Sequence, residues 1–179
     1  MATERRLVNK YRSQLFVKWL EDTYPLNSKS RILDIAGGKG LITYILNDDG
    51  YHSVVMDPMN QELPRVYRDL NKKRYRIPED EKVLRTTKAF EIEDAKNRTL
   101  LIGMHAHGVN MKIMDAAIKN KINFAILPCC VIDEPIERQE NIDWFDSLVD
   151  YGKSIGLEIQ TTNINFTGQN KIIYTTQFN

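Results

Sequence analysis

Residues 31–40 read RILDIAGGKG and run directly into LITYIL at 41–46. The opening RILDI is short and mostly apolar, as a buried strand would be, and the glycines that follow end it. Residues 41–46 then resume as a helix, stopped near Asp48, Asp49 and Gly50. A strand, a glycine loop and a helix in that order make a tight turn that a ligand can approach closely. The helix start offers its unpaired N–H groups to an anion. Single positions decide which ligand. A Walker loop requires Ser or Thr after Gly-Lys, and here Gly40 follows Lys39, which disfavours a nucleoside triphosphate. A dinucleotide fingerprint set on Gly38 and Gly40 puts Thr43 where a third glycine or alanine belongs, weakening the packing of helix on sheet that this motif needs. An NAD-dependent oxidoreductase is therefore a second choice.

The rest of the chain alternates in the same way. Val8, Tyr11, Leu15 and Trp19 fall at helical spacing within an N-terminal helical segment spanning 1–29. Strands are expected at 31–36, 52–56, 84–90, 99–104 and 123–127, and helices at 41–46, 109–119 and 142–154. A terminal hairpin pairs 157–165 with 171–176 through a turn at Gly168. This order specifies one α/β domain over 1–179: a doubly wound, mostly parallel seven-stranded sheet with an antiparallel C-terminal strand and helices on both faces. Ligands of such sheets lie beyond the carboxyl ends of the strands, so the residues just after each strand matter most.

Composition sets the bounds. The chain has 179 residues, 42% hydrophobic and 27% charged, the balance of a soluble globular domain. Net charge is +1, from 25 basic and 24 acidic residues, so no global field draws it to nucleic acid or membrane and any such attraction must be local. Residues 1–12, MATERRLVNKYR, lack the apolar core of a signal peptide, and no uncharged apolar run reaches the ~18 residues of a spanning helix. The two cysteines, Cys129 and Cys130, are adjacent, where a bridge is strained and closes almost no loop. The expected compartment is the cytoplasm, with the nucleus as the alternative.

An acid on the first strand followed by small residues at a spacing of two, here Asp34, Ala36, Gly38 and Gly40, resembles motif I of the class I S-adenosylmethionine-dependent methyltransferases, with alanine in place of its first glycine. Asp57, in VVMDPMN, stands at the end of the second strand, where that family places the carboxylate that holds the two ribose hydroxyls. A carboxylate accepts two hydrogen bonds from a cis-diol and has little other reason to end an apolar strand. The reversed last strand also resembles that family's sheet. The resemblance implies S-adenosylmethionine as cofactor. Asp34, Ala36, Gly37, Gly38 and Gly40 would serve its methionine part, Asp57 and Pro58 its ribose, and Phe90 its adenine. The alternative of another class is a non-catalytic module that keeps this fold to bind a partner.

The acceptor side is read at the ends of the fourth and fifth strands. Residues 103–108 are GMHAHG and 124–131 are FAILPCCV. The Asn/Asp-Pro-Pro-aromatic run of amino-methylating enzymes is missing, as is the lysine, aspartate, lysine and glutamate set of many ribose methyltransferases. The two stretches resemble the paired His-x-Cys-Gly and Cys-Cys motifs of a eukaryotic methyltransferase-like group that includes a tRNA ribose methyltransferase, although His107 replaces the first motif's cysteine. His105 is the candidate catalytic residue, a proton acceptor near neutral pH, and Met104, His107, Pro128, Cys129 and Cys130 are expected around the acceptor. His105 and His107 alternate onto one side of an extended chain, whereas Cys129 and Cys130 point to opposite sides, which spoils a four-ligand zinc cage, so no metal is expected.

Residues 61–82 form a basic insertion between the second and third strands. Arg65, Arg68, Lys72, Lys73, Arg74 and Arg76 are interleaved with Tyr67 and Tyr75, a pattern able to track an RNA backbone and stack a base. The alternative is a solvated surface helix whose charge Asp69, Glu79, Asp80 and Glu81 partly cancel. RNA is the expected macromolecular partner.

Overall fold

A computed structural model describes residues 9–129, 133–136 and 142–178. After a 3-10 turn at Asn9–Tyr11 the elements are α1 (Arg12–Thr23), β1 (Arg31–Ile35), α2 (Leu41–Asp48), β2 (His52–Met56), β3 (Val66–Arg68), β4 (Arg74–Arg76) and β5 (Arg85–Thr86). A second 3-10 turn, Ile92–Ala95, leads to β6 (Leu100–Met104), α3 (Asn110–Asn120), β7 (Asn123–Leu127), α4 (Trp144–Ser154), β8 (Gln160–Asn163) and β9 (Lys171–Tyr174).

Seven strands form the main sheet in the order β5-β2-β1-β6-β7-β9-β8. Pairing is parallel from β5 through β7, and β9 runs antiparallel to both β7 and β8, so the reversed strand sits inside the sheet rather than at its edge. The central strands are buried on both faces, and their side chains alternate between two cores. Ile32, Leu100, Ile102, Ala125 and Leu127 face one core with Phe16, Val17 and Leu20 of α1 and Ile42 and Leu46 of α2. Leu33, Ile35, Leu101, Phe124 and Ile126 face the other, with Ile113, Met114 and Ala117 of α3 and Phe145 and Leu148 of α4. The same alternation aims Asp34 at the α2 side, although it is fully buried. The chain leaves β1 toward β2 and β5, then crosses back to β6, which makes the crevice between the ends of β1 and β6 the topological switch point.

α1 itself begins at Arg12, with Tyr11 buried just before it, Phe16, Val17 and Leu20 buried along it and Leu15 and Trp19 half-buried against the same core; Val8 lies outside the described residues. Two local expectations give way. The third strand shrinks from 84–90 to Arg85–Thr86, because Leu84 is exposed, polar Thr87 and Lys88 follow, and Glu91 and Asp94 form a capping box that starts a 3-10 turn. The basic insertion is not a helix. Val66-Tyr67-Arg68 and Arg74-Tyr75-Arg76 alternate with the period of a strand and pair as an antiparallel ribbon. Asp69 closes its turn by accepting from the Lys73 N–H at 2.8 Å, with Lys72 left-handed at φ 66°. No helix among the described residues is long and apolar enough to cross a membrane.

Candidate active site

The loop after β1 turns through two left-handed residues, Ala36 at φ 54° and Gly38 at φ 52°, before Gly40 at φ 80° caps α2. Alanine thus holds the backbone conformation that glycine would take at the position where motif I departs from its pattern, at a cost of order 1 kcal/mol. Gly37 is required for space: a Cβ there would meet the Asp34 carboxylate at 2.6 Å. The loop is tied to the next strand by Asp57, whose Oδ2 accepts from the Gly38 N–H at 2.9 Å and whose Oδ1 accepts from the Met59 N–H at 2.8 Å. Two lone pairs on that carboxylate are left for a ligand. A Cβ added at Gly38 would meet nothing nearer than Gln61 Nε2 at 3.9 Å, which leaves room above the turn.

Asp34 is the unusual group. Its Oδ2 accepts from Thr43 Oγ1 at 3.0 Å, Thr43 in turn meets Ser53 Oγ at 2.9 Å, and its Oδ1 has no hydrogen-bond partner. Burial pushes its pKa up to about 7; the Thr43 hydrogen bonds and the Arg85 charge pull the other way, and Asp57 adds a smaller upward push. A buried acceptor without a donor marks a place where a cationic or N–H-bearing ligand group would be stabilised.

A cavity of about 470 Å³ lies over this loop. Asp34, Ala36, Gly37, Gly38 and Gly40 form its floor. Met104 and His105 close it from the end of β6, Arg12 and Ser13 from the first turn of α1, and Gln61 and Pro64 from the insertion. The last four were not legible in the sequence: they come from remote segments and belong to no local motif. His105 is left-handed at φ 58°, its N–H donates to the Leu127 carbonyl at 2.9 Å, and its Nε2 is buried without a partner. Burial, then the Arg12 charge, then His107 push its pKa down to about 4, so the imidazole is neutral in the physiological range.

The remaining expected acceptor residues fall elsewhere. His107, Pro128 and Cys129 do not line this cavity; His107 and Cys129 meet each other, with Sγ 3.4 Å from Nε2. Cys130 lies outside the described residues. Pro58 is exposed beside Asp57. Phe90 is 2% exposed and packed in the core with Met56 and Ile113, so its ring offers no face to an adenine. A second cavity, about 530 Å³, lies under the insertion and shares Gln61 and Pro64 with the first.

On the ribbon, Tyr67 and Tyr75 stack on one another at 5.2 Å, and Tyr67 meets Tyr44 of α2 edge-on at 6.0 Å. These rings fasten the ribbon to the domain and are not free to stack a base. Arg68, Arg74 and Arg76 share the opposite, exposed face, with Arg68 directly across from Arg74. Arg65 is bound to Glu79 at 2.8 Å.

No family model matches the sequence, and no curated protein does. Solved structures do match over nearly the whole chain. The fibrillarin/Nop5p complex aligns with a TM-score of 0.61 at 12% identity, covering 95% of this chain and 83% of that one. The methyltransferase domain of bacterial CtHen1 aligns at 0.55 and 10% identity, covering 95% and 100%. The fold is that of the class I methyltransferases. The glycopeptide N-methyltransferase MtfA, solved with S-adenosylmethionine, shares it at a TM-score of 0.55 and 11% identity over 97% of both chains.

Proposed function

We propose that this protein binds S-adenosylmethionine over the loop at 36–40 and transfers its methyl group to RNA. The observation that carries the reading is the placement of two carboxylates around one glycine turn at the switch point: Asp34 beneath it with a free acceptor, and Asp57 beside it with lone pairs to spare. The first suits an ammonium group and the second a ribose diol. S-adenosylmethionine supplies an already electrophilic methyl on its sulfonium, so the protein's task is to align the acceptor and exclude water. His105, neutral and unpaired at Nε2 on the cavity wall, is the group assigned to take the acceptor's proton.

Calorimetry with S-adenosylhomocysteine tests the cofactor. The intact protein should bind it, and Asp57→Ala should weaken binding by about thirtyfold, the equivalent of ~2 kcal/mol for two unpaired hydroxyls, while Lys39→Ala, exposed on the loop, should change little. Binding of NADH in its place would overturn the reading in favour of an oxidoreductase.

The exposed basic face supports RNA as acceptor. Arg74 and Arg76 have no ion pair among the described residues, and a like-charged pair held across the ribbon by Arg68 and Arg74 costs stability unless an anion sits over it. With both tyrosines committed to packing, the ribbon would hold phosphates without reading bases. Replacing Lys72, Lys73 and Arg74 by alanine should weaken RNA binding about tenfold near 0.1 M salt and make its salt dependence shallower, since each neutralised phosphate releases counterion. Unchanged affinity and slope would remove RNA from the proposal.

A further inference from the structure

The turn after β6 is tied down at two successive peptides. His105, left-handed at φ 58°, gives its N–H to the Leu127 carbonyl at 2.9 Å, and the Ala106 carbonyl accepts from Asn110 Nδ2 at 2.9 Å. Asn110 opens α3, is 1% exposed, and is itself gripped from a distance. Glu134, twenty-four residues further along and beyond β7, is also buried, and its Oε1 accepts from the Asn110 backbone N–H at 2.8 Å and from Asn110 Nδ2. Both N–H groups of the Asn110 amide are thus committed, one to Glu134 and one to Ala106, while its Oδ1 has no partner, so these two acceptors set the amide's orientation. The backbone is shaped to let the two segments meet: Gly108 is left-handed at φ 71°, and a Cβ there would lie 2.9 Å from Asp133.

We infer that Asn110 and Glu134 are positioning residues for His105: through the Ala106 carbonyl they hold the backbone on its C-terminal side and so keep the imidazole on the cavity wall. The consequence for methyl transfer rests on the function proposed above; the placement of the ring does not. A non-glycine residue in the left-handed region persists only where its surroundings over-determine it, and such residues gather at active sites. Leu127 fixes the N–H of His105 alone. Without the bond to Ala106 the following peptide is free to rotate, and His105 can relax to an extended backbone that carries its ring off the wall. Glu134 acts one step further back, because its carboxylate decides which way the Asn110 amide faces and occupies the start of α3, where N–H groups have no partner within the helix.

The full chain has three histidines, and comparison with His105→Ala picks out the ring signals of His105, so NMR follows its protonation directly. In the unaltered protein, where burial, Arg12 and His107 all act on the ring, His105 should stay neutral down to about pH 4; in Asn110→Ala and Glu134→Ala it should titrate near the ordinary value of about 6.5. In the same variants kcat for methyl transfer to unfractionated RNA should fall about thirtyfold with KM for S-adenosylmethionine within about twofold, and Glu134→Gln, which keeps an acceptor for Asn110, should recover most of the rate. A cooperative thermal transition shows that a variant is folded, and where an alanine variant lacks one, Asn110→Leu, which keeps the volume without the donors, takes its place. An unshifted His105 titration in the folded variants would overturn the inference and leave the pair as a cap of α3. Equal losses in Glu134→Gln and Glu134→Ala would overturn it too, since charge at the start of α3 would then be the source of the effect. A shifted titration with full turnover would instead overturn His105 as the proton acceptor, and failure of the unaltered protein to transfer methyl groups would overturn the proposed function, with the ring titration still deciding the positioning role.

Discussion

Asp34→Asn is expected to make the ligand-free protein more stable above pH 7 by roughly 2–4 kcal/mol and at the same time to weaken S-adenosylhomocysteine binding about 100-fold. Both effects come from one oxygen. Asp34 is fully buried, only Oδ2 is hydrogen-bonded, and burial lifts its pKa from 3.8 to about 7. A carboxyl group whose pKa is higher in the folded state binds more protons there than in the unfolded chain between those two values. Its stabilising contribution is therefore complete below pH ~4, declines as pH rises toward 7, and is gone above that. An amide stays neutral throughout, so the stability difference between Asp34→Asn and the unaltered protein should open from pH 4 to pH 7 and then level off. The affinity loss follows because an amide cannot supply the charge-assisted bond that a carboxylate gives to an ammonium, worth about 2–3 kcal/mol in a buried site. Denaturant titrations across this pH range, with and without S-adenosylhomocysteine, measure both. Ligand should narrow the gap, because the ammonium compensates the buried charge. A variant with unaltered stability at pH 8 and unaltered affinity would show that Asp34 is an ordinary packed residue.

His105→Ala is expected to reduce methyl transfer by about 100-fold with cofactor affinity unchanged. The imidazole lies on the cavity wall, and burial with the neighbouring Arg12 and His107 holds its pKa near 4. The proton-accepting form is therefore present throughout the neutral range. With the cofactor site saturated, so that Asp34 is held ionised by the ammonium, turnover of the unaltered protein should be flat from pH 6 to 8 and fall only as pH drops toward 4, where a histidine of ordinary pKa would give a limb near 6.5. So weak a base belongs at the lower end of the usual acid–base contribution. Incorporation of labelled methyl into unfractionated RNA follows the rate, and calorimetry the affinity. A loss of a few-fold with an unaltered pH profile would make His105 a packing residue at the end of β6, and loss of cofactor binding would place its role in holding the cofactor.

The same linkage logic gives His105 a stability signature opposite to that of Asp34. A histidine whose pKa is lowered on folding costs stability once the unfolded chain takes up its proton, so that cost grows as pH falls from about 6.5 toward 4. Between pH 4 and 6.5 the two residues therefore pull in opposite directions, and Asp34→Asn should expose the acid-side loss that Asp34 partly masks.

The sequence by itself determined the architecture. Strand and helix periods are local, so RILDI followed by glycines and an apolar helix, repeated as strand and helix to a terminal hairpin, leaves few ways to bury both faces of the sheet. Asp34, Gly37, Gly38, Gly40 and Asp57 were legible for the same reason: the end of a strand is a local property, and the ends of adjacent parallel strands are brought together by the sheet. Tertiary structure decided what depends on a neighbour. Whether Phe90 faces a ligand or the core is set by which side of the sheet the chain has reached, and the short β5 put it among Met56 and Ile113. The alternation of the ribbon strands lies in the insertion's own sequence, but the docking of Tyr67 on Tyr44 of α2, which fixes where the ribbon sits, is announced by no residue within the segment. Arg12 reaches the glycine loop only because α1 packs beside α2 on one face of the sheet, and the partnerless oxygen of Asp34 is a property of everything that surrounds it. Local sequence carries the period and the turn; long-range packing assigns each side chain its surroundings, and with them its charge.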